Sequence, residues 1–322
     1  MSYTTNNKIF QKSKSLISKY YLIVIGLYFL VQAIITMFYS NTTTDYRVYL
    51  FLLAFASFTA ISEVRKDIKL LPYLLIAIPF IFLIFYISNH GYEFWGKMLS
   101  WQINRGMVID LNPIFEKIPF NDASFARIYQ NDTLTWFFRL VYNNGFVLPV
   151  IIPLYRAGMA KDFKKMLRYS LSGHVLQVFL ITPFYLLFHL QEVWFVTNQP
   201  DGLARHLSAN AAAGITLNCF PSMHTSISFA MFLLVLREKN KPFKYVWGFL
   251  CLCVIFSTMY LEIHWTIDVI AGMLFALCTV KLVDLLLAYS ENLIKKPINM
   301  FFRKPQNLTT PNNNFYIKNI KG

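Results

Sequence analysis

Long stretches without a single charged side chain recur along this chain. Tyr20 to Thr44, Leu70 to Tyr92, His206 to Leu236 and Tyr245 to Leu261 contain no Asp, Glu, Lys or Arg. A helix needs about 20 mostly apolar residues to cross the hydrocarbon layer of a bilayer. There the backbone must satisfy its own hydrogen bonds, which leaves few options besides helices. Runs of this kind, repeated from end to end, predict an all-α, polytopic integral membrane bundle rather than a fold around one buried core. Composition agrees: 14% of the residues are charged, against about 25% in soluble domains.

Hydropathy predicts eight spans, at about 20–38, 48–62, 70–88, 135–155, 169–189, 222–236, 245–261 and 265–288. The first follows Lys8, Lys12, Lys14 and Lys19 and reads as a retained span, longer than the apolar part of a signal peptide and without a small-residue cleavage site. The net charge of +14 raises the question of nucleic acid, but the distribution of charge favours a bilayer partner and no nucleic acid. With the N-terminus cytoplasmic, 22 of the 30 Lys and Arg fall on inner segments and six on outer ones (Arg47, Lys97, Arg105, Lys117, Arg127 and Arg205). Positive charge on the inner loops is the rule for membrane proteins, and the inverted arrangement breaks it at every short loop. The domain reading is 1–134 as membrane helices with an outer cap loop, 135–288 as a core, and 289–322 as a cytoplasmic polar tail. Of the four cysteines, Cys251, Cys253 and Cys278 lie inside predicted spans, which argues against a disulfide framework or a zinc site.

Two polar signals interrupt this pattern at one depth and on one side. Cys219 to Ser226, "CFPSMHTS", opens the sixth span, and Ser257 to Gly272, "STMYLEIHWTIDVIAG", forms the turn into the eighth. His264 and Asp268 are four apart and share a helix face. A carboxylate accepting from one imidazole nitrogen leaves the other unprotonated and nucleophilic. His224 offers a second imidazole as proton donor. Ser222 and the backbone N–H groups at the start of its helix can bind an anion, and Arg205 can hold a phosphate through two N–H groups. Each signal also has a plainer meaning. Pro221 and Ser222 read equally as a helix start and cap, His224 as a structural histidine, and the His264/Asp268 pair as a stabiliser of a helix mouth.

Taken together, these residues resemble the type-2 phosphatidic acid phosphatase superfamily. Its P-S-x-H element corresponds to Pro221-Ser222-Met223-His224, and its His and Asp separated by three residues correspond to His264 and Asp268. The closer likeness is to the inositol phosphorylceramide synthase branch, through F-P-S-x-H, through Met259-Tyr260-Leu261 leading to His264 and Asp268, and through Gly202-Leu203-Ala204-Arg205. The resemblance covers about 135–288. It implies a phosphatase or phosphotransferase acting on a lipid phosphate, with water or an alcohol as acceptor and no metal or other cofactor; the loop charges put the site on the extracytoplasmic side, and the expected location is the cell membrane. His264 would attack phosphorus, Asp268 would orient it, His224 would protonate the leaving group, and Ser222 and Arg205 would hold the phosphoryl oxygens. Two cationic elements of the phosphatases have no counterpart: no Lys lies between Arg168 and Arg237, and Thr258 stands where their third motif carries Arg. Arg105, Arg127 and Arg139 are candidate substitutes. The alternative from another class is a lipid or solute transporter whose polar mouth binds without chemistry; broken helices, inverted repeats and charges near midplane would favour it, whereas the polar set lies at one face and the chain has no visible repeat.

Overall fold

The computed structural model describes residues 2–39, 41–65, 68, 70–105, 109–208, 211–212 and 219–302. The polar tail from 303 on and the Arg105 side chain lie outside the described residues. The chain divides into two compact units, Met1–Val283 and Asp284–Gly322. All eight apolar stretches are helical. In chain order come α1 (Ser2–Met37), α2 (Thr44–Ala60) and α3 (Leu70–Arg105), then a cap segment that holds β1 (Ile109–Asp110), α4 (Asn112–Phe115) and a 3-10 turn, Ser124–Arg127. Helices α5 (Asp132–Asn143) and α6 (Leu148–Met159) follow, then α7 (Phe163–Ser170), a π turn over Leu171–Val175, and α8 (Leu176–Leu187). Next are β2 (Phe188–His189), α9 (Val193–Val196), α10 (Met223–Val235), α11 (Lys241–Tyr260) and α12 (Thr266–Phe302). The all-α expectation therefore needs one small amendment. β1 pairs in parallel with β2, Ile109 opposite Phe188 and Asp110 opposite His189, and so ties the cap to the loop after α8.

The expected count of eight spans is corrected downward. Five segments are long and apolar enough to cross a membrane: Tyr20–Met37, Leu70–Ile87, Phe163–Leu187, Lys241–Tyr260 and Thr266–Glu291. Helices α5 and α6 make a sixth if the pair, bent by 58°, counts as one span. At 17 and 13 residues, α2 and α10 fall short of the ~20 that a crossing requires. The chain is a multi-pass membrane protein on this count too. The bend has a local cause. Asn143-Asn144-Gly145 is a turn sequence, Gly145 N–H bonds back to the Tyr142 carbonyl at 2.8 Å, and Asn144 Nδ2 reaches Asp45 Oδ1 of α2 at 2.8 Å. Helix starts carry the side chains that satisfy free amides: Thr43 caps α2, Asn131 caps α5, Ser222 caps α10 and Asn240 caps α11.

The core runs between α6, α7, α10 and α11, where Ile152, Met166, Tyr169, Ile227, Met231, Phe243 and Trp247 pack together, all buried. At the end of the bundle where α10 turns into α11 sits a buried ionic cluster. Arg156 of α6 binds Glu238 at 2.9 Å and Glu63 at 3.0 Å, and its guanidinium lies 4.3 Å over the Phe243 ring. Lys165 bonds the same two carboxylates at 2.8 and 2.7 Å, and the Tyr169 hydroxyl donates to Glu238. Arg156, expected as a cation of an inner loop, is thus a buried member of the helix packing. At the other end, the starts of α10 and α12 meet. Ser222 N–H donates to the Asp268 carbonyl at 3.2 Å. Gly272 permits this approach: a Cβ there would lie 2.6 Å from the Ser222 carbonyl oxygen and 3.2 Å from Thr225 Cβ.

Two outcomes follow from these ends. Burial works to raise the Glu63 carboxyl, but hydrogen bonds from Arg156, with Glu238 and Lys165 beside it, outweigh burial and hold it well below the usual range. A carboxyl depressed on folding stabilises fully above its ordinary value of 4.5 and loses that contribution as pH falls. The melting temperature, followed by tryptophan fluorescence, should fall on acidification below that value, and Glu63→Gln should flatten the acid limb. In helices Gly→Ala ordinarily stabilises by about 0.5–1 kcal/mol. Gly272→Ala should reverse that sign and lower the melting temperature; a rise would show that the two helix starts can separate freely.

Candidate active site

Three elements deliver the site: the start of α10, the turn between α11 and α12, and the loop after β2. Ser222 ends the loop, after a cis Phe220–Pro221 peptide, and its side chain caps α10. The hydroxyl accepts from Thr225 N–H at 3.3 Å and donates to Thr225 Oγ1 at 3.0 Å. The plainer reading of Ser222 as a cap is thus realised. Two positions on, the buried His224 ring is gripped by aromatic rings: Tyr142 is stacked on it at 4.1 Å between centroids, and Phe146 lies at 3.6 Å. Gly145 leaves room for the imidazole, since a Cβ there would come 3.3 Å from His224 Cδ2.

The turn after α11 is held by the Thr258 carbonyl, which accepts from Ile263 N–H at 3.0 Å and from His264 N–H at 3.1 Å. Thr258 therefore contributes backbone where the phosphatase pattern has a cation. Glu262, at φ 58°, completes the reversal. His264 Nδ1 donates to Asp268 Oδ2 at 3.2 Å, and Trp265 N–H donates to the same oxygen at 3.1 Å. An ionised carboxylate can only accept, so Nδ1 carries the proton, and in the neutral ring Nε2 keeps its lone pair. Asp268 is fully buried, and its Oδ1 has no hydrogen-bond partner among the described residues. The ring centroids of His224 and His264 are 6.0 Å apart, with the planes inclined at 60°. The structure thus brings His224, His264 and Asp268 together, with Ser222 joined to Asp268 through the backbone.

Arg205 is placed differently. Nε and one terminal nitrogen bind the two oxygens of Asp201 at 2.8 and 3.0 Å, and the terminal nitrogens bind both oxygens of Glu192. The Trp194 ring lies 5.6 Å from the guanidinium carbon. Burial disfavours the Arg205 charge, but the two carboxylates outweigh it and raise its pKa further; Asp201 is lowered in return, against its own burial. Four of the five guanidinium N–H donors are thereby engaged. The conformation of the Gly202 element has a steric basis: a Cβ on Gly202 would collide with the Leu261 carbonyl beside the His264 turn. Of the other candidate cations, Arg127 pairs with Asp122 and Glu262 at 3.4 and 3.2 Å, and Arg139 donates Nε to the Gly202 carbonyl at 2.7 Å.

Sequence reasoning passed over several residues that fix this geometry. Asn121 of the cap is buried, and it accepts from Thr266 N–H through its carbonyl at 2.8 Å and from Ile267 N–H through Oδ1 at 2.9 Å. It thereby satisfies two free amides of α12. Trp265 Nε1 donates to the Gln191 carbonyl at 2.8 Å and fastens the loop after β2 to the same turn. Cys219 is buried, with its thiol pushed well above its ordinary pKa by burial and by nearby Glu192 and Asp268. Its sulfur, one His264 ring nitrogen and an Asp268 oxygen lie within 4.8 Å of one another, three donors of kinds that ligate zinc. Nothing in the local sequence sets Asn121 apart from other loop asparagines, whereas Trp265 and Cys219 adjoin the motifs themselves.

Comparison with known proteins bears on the same region. Residues 171–291 match the model of the PAP2 superfamily, a stretch that contains Ser222, His224, His264 and Asp268. An uncharacterized protein of Methanocaldococcus jannaschii is 24% identical over 203 residues, covering 58% of this chain and 76% of that protein. No solved structure gives a significant match. Through residues 171–291, the chain is similar to the PAP2 superfamily.

Proposed function

We propose that this protein is a membrane-embedded lipid phosphatase or phosphotransferase that works through a phosphohistidine on His264, at the extracytoplasmic face. One observation carries the reading: a buried His264–Asp268 hydrogen bond with a second imidazole, His224, 6.0 Å away. Free Nε2 of His264 attacks the phosphorus of a lipid phosphoester or pyrophosphate. The P–N bond forms as the P–O bond to the leaving group breaks, and His224 gives its proton to the departing oxygen. Water, or the hydroxyl of an alcohol acceptor, then attacks phosphorus. Its proton returns to His224, the P–N bond breaks, and phosphate or the transferred product leaves. Asp268 orients His264 and offsets the positive charge that the ring carries while phosphorylated. Ser222, the amides of the first turn of α10 and the remaining N–H of Arg205 serve the phosphoryl oxygens, which makes the Glu192–Asp201 clamp a preorganising frame. The likeness to the inositol phosphorylceramide synthase branch rests on the GLAR and MYL elements. It favours transfer to an alcohol over hydrolysis. The outward orientation of the site rests on the loop charges.

The test incubates the purified protein with isotopically labelled lipid phosphates, with and without polyol or lipid alcohols, and resolves products by mass. His264→Ala should abolish turnover while the melting temperature stays near that of wild type. His224→Ala should slow it by about 10²–10⁴, the usual contribution of a general acid, and should allow a labelled, acid-labile adduct on His264 to be trapped. A His264→Ala protein that keeps about a tenth of the rate or more removes His264 from the nucleophile's role.

A further inference from the structure

The cap segment leaves several apolar side chains uncovered. Ile109 is 55% exposed, Phe120 75%, Ile128 71% and Tyr129 83%. Scattered singly, exposed apolar residues are ordinary. These four share one depth, and three membrane spans set it. The span Phe163–Leu187 ends one residue before Phe188, which stands opposite Ile109 in the β1–β2 pair. The span Lys241–Tyr260 ends at a hydroxyl that accepts from Asn131 N–H at 3.3 Å, two residues beyond Tyr129. The span Thr266–Glu291 begins at Thr266, whose hydroxyl donates to the Phe120 carbonyl at 3.2 Å.

The exposed side chains sit on fastened backbone. Phe120 holds a φ of 60°, a region that bulky residues rarely enter. The next residue, buried Asn121, is bonded to the first amides of α12. Arg127, just before Ile128, is paired with Asp122 and Glu262. Where spans end, a chain meets the boundary between hydrocarbon and water, and aromatic side chains gather there. Charge does not draw this segment to lipid. Over 109–136, Asp110, Glu116, Asp122 and Asp132 outnumber Lys117 and Arg127, so anionic headgroups would repel it. The burial of apolar surface is the driving force that remains.

We propose that the cap segment is an interfacial element whose partner is the bilayer itself: Phe120 and the Ile128-Tyr129 pair dip into the lipid surface at the level where α11 ends and α12 begins. The inference goes beyond the phosphoryl-transfer reading and does not depend on it. The test uses the full-length chain in nanodiscs of phosphatidylcholine, which carries no net charge. Three variants carry a photoreactive benzophenone: Phe120→p-benzoylphenylalanine, Tyr129→p-benzoylphenylalanine and, as the control, Phe115→p-benzoylphenylalanine at a buried position of the same segment. After illumination, mass spectrometry of the intact chain should show one added phosphatidylcholine on the Phe120 and Tyr129 variants and none on the Phe115 variant. The adducts should persist in about 1 M salt, where exposed charges are screened beyond about 3 Å. If the strained turn does not tolerate the change at Phe120, the Tyr129 variant still reports. No lipid adduct at either tip, capture of a second copy of the chain in its place, equal capture at Phe115, or loss of the adducts in high salt overturns the proposal.

Discussion

The hydrogen bond from Ser222 N–H to the Asp268 carbonyl is the contact on which the site depends. It joins two helix starts that lie 46 positions apart in the chain (268 − 222). The same first turn of α12 holds His264 and Trp265 through the Asp268 side chain, the cap through Asn121, and the loop after β2 through Trp265. Each neutral bond contributes only about 0.5–1.5 kcal/mol. A buried carboxylate deprived of its partners costs considerably more, so the network forms as a whole or not at all. One helical turn thereby sets the positions of both imidazoles relative to each other.

The opposite end of the bundle uses the same physics with stronger charges. Arg156, Lys165, Glu63, Glu238 and Tyr169 hold α6, α7 and the α10–α11 turn together. Between the two polar ends the packing is apolar, and the outward faces of α1 and α3 carry Val24, Tyr28, Leu71, Leu75 and Phe82, all exposed. In a hydrocarbon environment such faces need no cover, while buried charges must find partners within the protein. The short helix α10 spans the region between these two ends, pinned at Ser222 and at the turn that carries Glu238.

Apolarity made the eight long apolar stretches legible as helices, because a run of uncharged residues has few other fates in a membrane, whereas the charged α7 and the short α9 left no such trace. Helix ends were less legible. The predicted third span stops at 88, yet α3 continues to Arg105: hydropathy marks where a chain leaves the apolar layer, and polar residues do not by themselves end a helix. The α5–α6 break was written in Asn143-Asn144-Gly145, but the apolar residues on either side masked it. The burial and pairing of Arg156 left no sign in the sequence because its acidic partners stand 93 and 82 residues away. The motif residues converge as their shared depth suggested. The sequestration of Arg205 by Asp201 and Glu192 was invisible, since an i, i+4 spacing in a loop carries no geometric meaning until the loop is folded. Asn121 acts across 146 residues, a distance over which a single sequence holds no signal.

The grip of Tyr142 and Phe146 on His224 has a stereochemical consequence. Rings whose centroids approach to 4.1 and 3.6 Å crowd the imidazole and restrict how it can turn. An imidazole holds its N–H and its nitrogen lone pair in the ring plane, so the neighbouring aromatics also fix the direction in which this ring can form a hydrogen bond. The break at Gly145, which gives the ring its berth, thus helps to aim that imidazole.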